Sequence, residues 1–380
     1  MNINYKHDIQ IKKLKDLTTK APKSKYSANS ITLMEQGNIK CFTSGSKFYF
    51  VNKELVNGEY LFINDGGIAD IKYHNGSACY TDHVFALKIN SNLCNGIYLY
   101  NYLLTKLETI NNTMFVGCGL KNIVKEDFLN LDIPLPEKRT QDFIANIFLN
   151  IDEKLEKEGN NITKLKETKL SFLELLFPQN IDIPQLRFRN FTNDWEQRKL
   201  SDIFEERHIV STISDKYPQL SFTIAEGVIK PEDRKTNKRD FLIIDKANKK
   251  YLITEYDDII YNPANVIFGA IHRNALGKGC VSPIYKIFYT DFDSKFIECI
   301  VRNESFINKI SQNLEGTVTK LKTLKPEAFL NMSSYITTSM EEQTKIGNLF
   351  KMLDNLITLH QRKLDKLKEV KSALLDKLLV

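Results

Sequence analysis

Cationic and amide side chains at turn-like positions are the residues best suited to chemistry with a polyanion. Residues 230–239 form the most cationic loop, and residues 271–274 (Ile-His-Arg-Asn) precede a Gly-Lys-Gly turn. Arg and Lys can donate to guanine edges, Asn can pair with adenine, and Thr or backbone amides can bind phosphate. We therefore predict DNA contacts at His74, Asn75, Lys121, Asn122, Arg234, Lys235, Lys238, Arg239, His272, Arg273, Lys278, Thr317, Lys320 and Lys322.

Turns of the same kind occur in both halves of the chain. Residues 72–75 (Lys-Tyr-His-Asn) correspond to residues 271–274, and residues 119–122 correspond to residues 316–322. Any one of these loops alone is also compatible with ordinary solvated surface. Their recurrence at matched positions favours a nucleic-acid interface.

Two short motifs approach catalytic signatures without completing them. Residues 262–265 (Asn-Pro-Ala-Asn) are similar to the Asn-Pro-Pro-aromatic box of amino-methyltransferases, but lack its second proline and its aromatic stacking face. Residues 231–235 are loosely similar to a nuclease carboxylate–lysine cluster, but lie in a polar loop. We interpret the first as a turn and the second as a surface loop. The sequence has no P-loop, no G-x-G-x-x-G and no C-x-x-C pair, and it therefore predicts no catalytic residue and no metal site.

The size and charge of the chain fit a soluble protein of more than one domain. It has 380 residues, a formal net charge of +6 and six cysteines. A single hydrophobic core rarely serves a chain of this length, so we expect at least two domains. The basic balance permits a polyanionic partner without requiring one. No apolar run is long enough to span a bilayer, which predicts a cytoplasmic location and no membrane partner.

A tandem repeat organises the chain. Residues 141–152 recur as residues 343–354, at an offset of 202 residues that holds without a gap to residues 164–167 and 366–369. Shorter matches precede these segments, for example residues 127–131 with 328–332. We conclude that the protein is a duplication of one unit, a mixed domain followed by a helix.

The repeated segments have the apolar periodicity of paired helices. Apolar residues follow heptad a and d positions in both copies, and an apolar stripe of this kind must be buried against another helix. Two unrelated core helices of one large domain are the alternative, which the gapless repeat disfavours. The predicted helix-pair interface consists of Ile144, Ile147, Ile151, Leu165, Phe172, Ile346, Leu349, Leu353, Leu356, Leu367 and Leu374.

The remaining residues indicate short strands, turns and a few helices. Residues 57–58 and 75–76 are Asn-Gly pairs, which are typical of hairpin turns. Residues 95–106 and 298–313 have helical patterns. We predict an α+β protein with two mixed domains, at 1–140 and 181–339, and two long helices, at 141–180 and 340–380, that pair with each other.

The chain resembles the specificity subunits of Type I restriction-modification systems. The resemblance covers nearly the whole chain and rests on residues 131–136 (Leu-Asp-Ile-Pro-Leu-Pro), 184–188 (Pro-Gln-Leu-Arg-Phe), 194–200 (Asp-Trp-Glu-Gln-Arg-Lys-Leu) and 341–346 (Glu-Glu-Gln-Thr-Lys-Ile). It departs at the start, where residues 13–17 match 199–203 but nothing matches the preceding Trp-Glu-Gln-Arg.

The resemblance implies that the two mixed domains are target-recognition domains, that the two long helices form an antiparallel coiled coil, and that the domains and the helices have different roles. Each recognition domain would read one half of an asymmetric, split site in double-stranded DNA, and the helices would fix the spacing and dock two modification subunits. Those subunits would flip out and methylate adenine with S-adenosylmethionine. Restriction subunits, as ATP-dependent endonucleases and translocases, would use ATP and Mg. This chain would hold no cofactor and would not be an enzyme.

Two other functions remain open from the sequence. The first is a coiled-coil scaffold that binds only proteins, which would show no salt-dependent DNA affinity. The second is a stand-alone nuclease or methyltransferase, which would be active alone with metal or S-adenosylmethionine.

Overall fold

The structure, a computed structural model, describes residues 9–45, 47–178, 183–234, 249–314 and 322–379. The chain forms two compact units. Unit 1 comprises Met1–Asn160 with Gln361–Val380, and unit 2 comprises Asn161–His360. Unit 1 therefore combines two segments that are distant in sequence, whereas unit 2 is one continuous segment that contains the second half of α6 and the first half of α10. The predicted α+β class with two long helices is confirmed.

Unit 1 is built on one six-stranded sheet with the order β2-β7-β5-β6-β3-β4. Its strands are antiparallel except for the parallel pair β3–β6, and a separate antiparallel pair joins β1 to β10. The strands are β1 (Gln10–Lys13), β2 (Thr18–Lys20), β3 (Ile39–Phe42), β4 (Phe48–Val51), β5 (Val56–Asn64), β6 (Ile71–Tyr80), β7 (Val84–Ile89), β8 (Phe115–Val116), β9 (Asn122–Ile123) and β10 (Asp132–Leu135). The helices are α1 (Leu14–Leu17), α2 (Ala28–Thr32), α3 (Gly96–Thr105), α4 (Leu107–Thr113), α5 (Lys125–Leu129) and α6 (Lys138–Leu176).

The two Asn-Gly pairs of unit 1 lie inside strands, so the hairpin-turn predictions at residues 57–58 and 75–76 are wrong. Gly58 of β5 is opposite Gly76 of β6, with φ of 118° and 128°. Both glycines adopt the positive φ that the Asn-Gly signal indicated, but the ladder continues through them. The connection between β5 and β6 is instead the segment 65–70.

Unit 2 has shorter strands in several small sheets. The orders are β12-β20-β17-β18, β13-β16-β19, β14-β15 and β11-β21. The strands are β11 (Glu196–Lys199), β12 (Glu205–Glu206), β13 (Val210–Ser211), β14 (Ser221–Thr223), β15 (Gly227–Ile229), β16 (Tyr251–Thr254), β17 (Ile259–Tyr261), β18 (Ile271–Arg273), β19 (Gly279–Val281), β20 (Lys286–Tyr289) and β21 (Ser333–Ile336). The helices are α7 (Ser294–Val301), α8 (Glu304–Gln312), α9 (Pro326–Leu330) and α10 (Met340–Leu378).

The predicted helix at residues 95–106 is confirmed as α3, but the one at residues 298–313 is two helices. α7 ends at Val301, and α8 begins after Asn303, whose side-chain oxygen accepts a hydrogen bond from the Ser305 amide at 3.0 Å. An N-cap of this type starts a new helix, which the apolar periodicity alone did not reveal.

Both long helices have 39 residues and take part in both units. In unit 1, Leu374 and Leu378 of α10 pack against the apolar cluster that contains Ile144 of α6, and Lys371 lies 2.5 Å from Asp152. Later residues of α10 thus meet earlier residues of α6, which is an antiparallel arrangement.

Unit 2 has the equivalent contacts between the other halves of the two helices. Lys169 of α6 lies 2.5 Å from Asp354 of α10, and the rings of Phe177 and Phe350 are 5.9 Å apart. The pairs Asp152–Lys371 and Asp354–Lys169 are related by the repeat offset of 202 residues. The duplication therefore preserves individual side-chain contacts, not only the helical pattern.

Candidate nucleic-acid interface and its attachment to the helices

His74 and Asn75 lie next to each other on β6. His74 is half-buried, its Nε2 is 3.2 Å from the Ser77 carbonyl, and its ring centroid is 5.5 Å from that of Phe42. Burial lowers the pKa of His74, and the nearby charge of Lys40 lowers it further. The imidazole is therefore neutral at pH 7, while the adjacent Asn75 is exposed.

Lys121 and Asn122 contact the segment 65–70 that connects β5 to β6. The Gly67 amide donates to the Lys121 carbonyl at 2.8 Å, and Gly66 forms an isolated bridge with Asn122. A Cβ on Gly66 would come within 2.7 Å of Asn122 Oδ1, so the glycine permits this close approach. Both predicted side chains are exposed.

A third exposed set on unit 1, at β3 and β4, was missed from the sequence. Phe48 and Phe50 of edge strand β4 are 48% and 54% exposed, and Lys40 Nζ lies 4.0 Å from the centroid of the Phe48 ring. Every residue of 48–50 is aromatic, so the sequence carried no alternation to show which face is solvated.

Of two further predicted contacts of unit 2, His272 is buried, and Arg273 is half-buried with its side chain held by carboxylates. His272 is 3% exposed, and its Nε2 is 2.8 Å from the Ile224 carbonyl. Arg273 is bound by Asp257 at 2.7 Å and lies 3.4 Å from Glu298. Side chains held in this way offer no edge to a DNA groove, so we correct the predicted role of both residues to a structural one.

Lys278 is the cation that the neighbouring turn does expose. Asn274 fixes the turn, because its Nδ2 donates to the Gly277 carbonyl at 2.7 Å and its Oδ1 accepts from the Gly277 amide at 3.1 Å. Lys278 is 44% exposed, pairs with Glu255 at 2.9 Å and lies over the Tyr217 ring. The hydrogen bond to Glu255 raises the pKa of Lys278, which keeps the amine charged.

The remaining predicted contacts lie on two loops of unit 2. Arg234 is half-buried and follows a 3-10 turn at Pro231–Asp233, and Lys322 is exposed. The other five predicted residues of these loops lie outside the described residues: Lys235, Lys238, Arg239, Thr317 and Lys320.

The near-catalytic motif at residues 262–265 is a turn, as interpreted from its sequence. Asn262 Oδ1 accepts from the Ala264 amide at 3.0 Å, and the Asn265 amide donates to the Asn262 carbonyl at 3.1 Å. Within the described residues, no group of three His, Cys, Asp or Glu side chains could hold a metal ion, and no helix could cross a membrane.

A buried glutamine attaches the mixed domain of unit 1 to α6. The backbone amide of Asn95, the N-cap of α3, donates to Gln141 Oε1 at 2.9 Å. Gln141 Nε2 donates in turn to the Pro136 carbonyl at 2.8 Å. One side chain thus fixes the first turn of α6 both to α3 and to the segment that leads into α6.

The same attachment is built in unit 2. The amide of Asp293, the N-cap of α7, donates to Gln343 Oε1 at 3.0 Å, and Gln343 Nε2 donates to the Thr337 carbonyl at 2.8 Å. Gln141 and Gln343 are 2% and 1% exposed and are exact repeat partners. We call this pair of contacts the glutamine clamp.

Unit 2 adds a buried ion pair between two of the motifs that carry the family resemblance. Arg187 donates to Glu342 through Nε at 2.7 Å and Nη2 at 2.9 Å, and Thr337 Oγ1 also donates to Glu342 at 2.6 Å. The hydrogen bond to Glu342 raises the pKa of Arg187. Residues 184–188 and 341–346 are therefore parts of one contact.

The predicted helix-pair residues divide into buried and partly exposed positions. Ile144, Ile346 and Leu353 lie in apolar clusters that also contain residues of the mixed domains, so the apolar stripe packs on its own domain as well as on the other helix. Ile151 is buried, Leu165, Phe172, Leu349 and Leu374 are partly buried against these clusters, Ile147 and Leu367 are half-buried, and Leu356 is 36% exposed. Phe148 and Phe350, fully buried, were missed.

The fold defines a class of protein in which two mixed domains are each attached to a long helix. The model of the Type I restriction modification DNA specificity domain matches residues 6–167. The Type I restriction enzyme MjaVIII specificity subunit of Methanocaldococcus jannaschii is 24% identical over 357 residues, which cover 88% of this chain and 82% of that subunit. The resemblance to Type I specificity subunits is thus confirmed.

The fold has a solved counterpart. The crystal structure of the Type I restriction-modification system S subunit from M. genitalium aligns with a TM-score of 0.69 at 15% identity, and covers 100% of this chain and 98% of that one. At this identity the likeness concerns the fold alone.

Proposed function

We propose that this chain is the DNA-specificity subunit of a Type I restriction-modification complex and that it reads an asymmetric bipartite site. Each unit would read one half-site, and the catalytic work would belong to partner subunits. The observation that carries the proposal is the glutamine clamp, which is built twice at matched positions and supports sheets of different construction. Equivalent clamps that carry different sheets suit a protein that holds two different recognition domains at a fixed spacing.

The residues proposed to read DNA in unit 1 lie on β6, at residues 121–122 beside the β5–β6 connection, and on β3 and the edge strand β4. Asn75, Lys121 and Asn122 are exposed, and Lys40 stacks on the exposed Phe48. An amide can pair with adenine, the lysines can bind phosphate or guanine, and an aromatic ring can contact a thymine methyl group.

The surface proposed to read DNA in unit 2 is centred on the turn that exposes Lys278. Lys322 is a second exposed cation, and the cationic loop at residues 230–239 remains a predicted contributor. His272 is left out because it is buried, and Arg273 is left out because Asp257 and Glu298 hold its side chain. The two proposed surfaces therefore differ in side-chain chemistry, which favours different half-sites.

The long helices are proposed to dock two modification subunits. Several large apolar side chains on them are more than a third exposed, as expected of surfaces that another protein covers. These side chains are Leu149, Met352, Leu356, Leu359 and Val370. The modification subunits would supply S-adenosylmethionine chemistry, and restriction subunits would supply ATP- and Mg-dependent cleavage and translocation.

Co-expression with a Type I modification subunit tests the proposal directly. We expect methylated adenines, mapped by single-molecule sequencing, to fall in a split motif with a fixed non-specific spacer. A stable complex with no new methylation would contradict sequence reading by these domains. If no complex forms with any modification subunit encoded in the same genome, the docking part of the proposal is wrong.

The spacing role has its own test. A seven-residue insertion within residues 150–164, matched by one within residues 352–366, preserves the phase of the apolar stripes. At ~1.5 Å per residue it lengthens the pair by about 10 Å, or about three base pairs. We expect a longer DNA spacer between unchanged half-sites. An unchanged spacer would show that the length of the helices does not set the distance between the half-sites.

A protein-only scaffold is the second candidate, and the exposed apolar side chains on the helices are compatible with it. The discriminating measurement is the DNA affinity of the complex as a function of salt. A specificity subunit loses affinity steeply as salt rises, because cations that bind phosphate release counterions. A scaffold shows no such dependence.

A further inference from the structure

Unit 2 contains a cavity of about 510 Å³ that takes no part in the surfaces proposed to read DNA. It lies among the last turns of α6, the helix α7 and the first turns of α10. Leu170, Leu173, Phe350 and Cys299 give it an apolar wall. Its volume is in the range of pockets for small organic ligands.

The cavity is strongly cationic. Its anionic lining residues are Glu298 and Asp354, and its cationic ones are Lys166, Lys169, Arg273, Lys295, Arg302 and Lys351. A cavity lined by one sign of charge with low-dielectric walls concentrates ligands of the opposite sign.

The two carboxylates are already engaged, which leaves positive charge available. Asp354 pairs with Lys169 at 2.5 Å, and Glu298 lies 3.4 Å from Arg273 and 3.5 Å from Arg302.

Two of the cations have no ion pair within the described part of the chain. They are Lys166 and Lys351, on α6 and α10. These two amines are therefore free to bind an incoming anion.

Unit 1 fills the corresponding place with a tyrosine. Tyr100 is five residues after the α3 N-cap Asn95, as Glu298 is five residues after the α7 N-cap Asp293. The Tyr100 ring stacks on Tyr73 with centroids 5.9 Å apart. Burial raises the pKa of Tyr100 to about 12, and the charge of Asp152, the repeat partner of Asp354, also raises it. The duplicated framework therefore does not require this cavity.

We propose that the cavity of unit 2 binds an anionic small molecule with an apolar or aromatic body, such as a phosphate monoester of mononucleotide size. The phosphate would bind Lys166 and Lys351, and the body would lie against Leu170, Leu173 and Phe350. This site goes beyond the proposed reading of DNA and does not depend on it. A bound ligand would join α6, α7 and α10, of which the glutamine clamp of unit 2 connects α7 to α10.

Isothermal titration calorimetry of the full chain with AMP tests the site. We expect AMP to bind at least about tenfold more tightly than adenosine, because the phosphate supplies the charge that the lysines recognise. Inorganic phosphate, which lacks the apolar body, should bind more weakly than AMP. If neither AMP nor phosphate binds, the proposal is wrong.

Charge reversal supplies a matched control. Lys166→Glu and Lys351→Glu should each weaken AMP binding at least about tenfold, whereas Lys368→Glu, at the repeat partner of Lys166, should leave it unchanged. If Lys166→Glu and Lys368→Glu weaken AMP binding equally, the effect comes from the change in net charge, and the proposed site is wrong. Circular dichroism of each variant checks that the exposed substitutions leave the fold intact.

Competition identifies other occupants. Addition of a short DNA duplex, or of a purified modification subunit, should leave AMP binding to the wild-type chain unchanged. Displacement of AMP by the duplex would assign the cavity to DNA phosphates, and displacement by the subunit would assign it to a protein contact. Either result overturns the proposal.

Discussion

The sheets of the two units differ far more than their attachments to the helices do. Unit 1 has a continuous six-stranded sheet with strands β5 and β6 of nine and ten residues, whereas β17 and β18 of unit 2 have three residues each. The clamp residues Gln141 and Gln343 nevertheless make equivalent contacts with nearly equal distances. The framework is thus conserved within the chain while the surfaces it carries have diverged, as expected if only the framework must meet common partners.

The two histidines at corresponding sequence positions show the same divergence at one residue. Nε2 of His74 and Nε2 of His272 each donate a hydrogen bond to a backbone carbonyl, and both rings lie beside a phenylalanine ring. His74 is half-buried, whereas His272 is 3% exposed. The same residue type at a matched position therefore serves the surface in one unit and the core in the other.

Loss of the ion pair between Arg187 and Glu342 should have the largest effect, and Thr140 stands at the repeat position of Glu342 in unit 1. Glu342→Leu leaves the half-buried Arg187 without its partner, and we expect unit 2 to lose about 3 kcal/mol of unfolding free energy, the lower end of the range for buried pairs. Urea unfolding followed by fluorescence of Trp195, which lies in unit 2, measures it. Thr140→Leu, at the repeat partner in unit 1, is the control and should cost little. The double variant Arg187→Leu/Glu342→Leu should recover most of the loss, and no recovery would contradict this explanation.

The glutamine clamps should give equal losses in the two units. Gln343→Leu removes the hydrogen-bond partner of the Asp293 amide and of the Thr337 carbonyl. Gln141→Leu does the same to the equivalent groups in unit 1. Each unpaired buried group is destabilising, so we expect about 1–3 kcal/mol for either substitution. Chemical denaturation of both variants checks this, with the exposed Gln361→Leu as a control. A loss confined to one unit would show that the clamp is not a shared device.

The two histidines should differ in their effect on stability at mildly acidic pH. Burial lowers the pKa of His272 to about 4, from an ordinary value of 6.5. Protons therefore bind the unfolded chain first, and stability falls as pH falls from 6.5 towards 4. At pH 5.5 the cost is about 1.4 kcal/mol.

Replacement of each histidine separates their contributions. In urea titrations at pH 7.5 and pH 5.5, His272→Gln should reduce the pH dependence more than His74→Gln, because His74 is less buried. An equal or larger effect of His74→Gln would contradict the structural assignment of His272.

The smallest expected effects concern phosphate contacts in the reconstituted complex. Lys121→Ala in unit 1 and Lys278→Ala in unit 2 should each reduce the slope of log affinity against log salt by about one, and leave the half-site sequence nearly unchanged. Fluorescence anisotropy with a duplex that carries the mapped site measures both slopes. An unchanged slope for Lys278→Ala would mean that its pairing with Glu255 persists on DNA.

The sequence predicted the helical framework well because helices depend on local periodicity and the repeat supplied an independent check. The exact correspondence of Gln141 with Gln343 was visible, although the clamp they form was not, since its partners Asn95 and Asp293 lie about 50 residues away. The sheets were less predictable. Gly58 and Gly76 have the backbone of turn residues inside a ladder, and only the pairing of β5 with β6 decides that.

The sequence predicted which loops belong to the candidate site, but not which of their side chains are exposed. The turn at residues 274–278 was found from its composition, yet burial of His272 and Arg273 depends on Gly227, whose missing Cβ leaves room for the His272 ring, and on Glu298 of α7. Long-range contacts of this kind leave no trace in the local pattern. The same limit hid Lys40 and Phe48, whose exposure depends on the position of β4 at the edge of the sheet.

The sharing of the two long helices between the units also has a consequence for the order of folding during synthesis. Unit 1 begins with residues near the start of the chain, but its apolar cluster includes Leu374, Leu378 and Leu379. A ribosome releases those residues after all of unit 2, so the unit whose translation begins first is completed only after unit 2 has been synthesised. Until then the nascent first domain exposes the apolar surface that these leucines cover. Loss of the final turns of α10 should therefore harm the domain at the opposite end of the sequence.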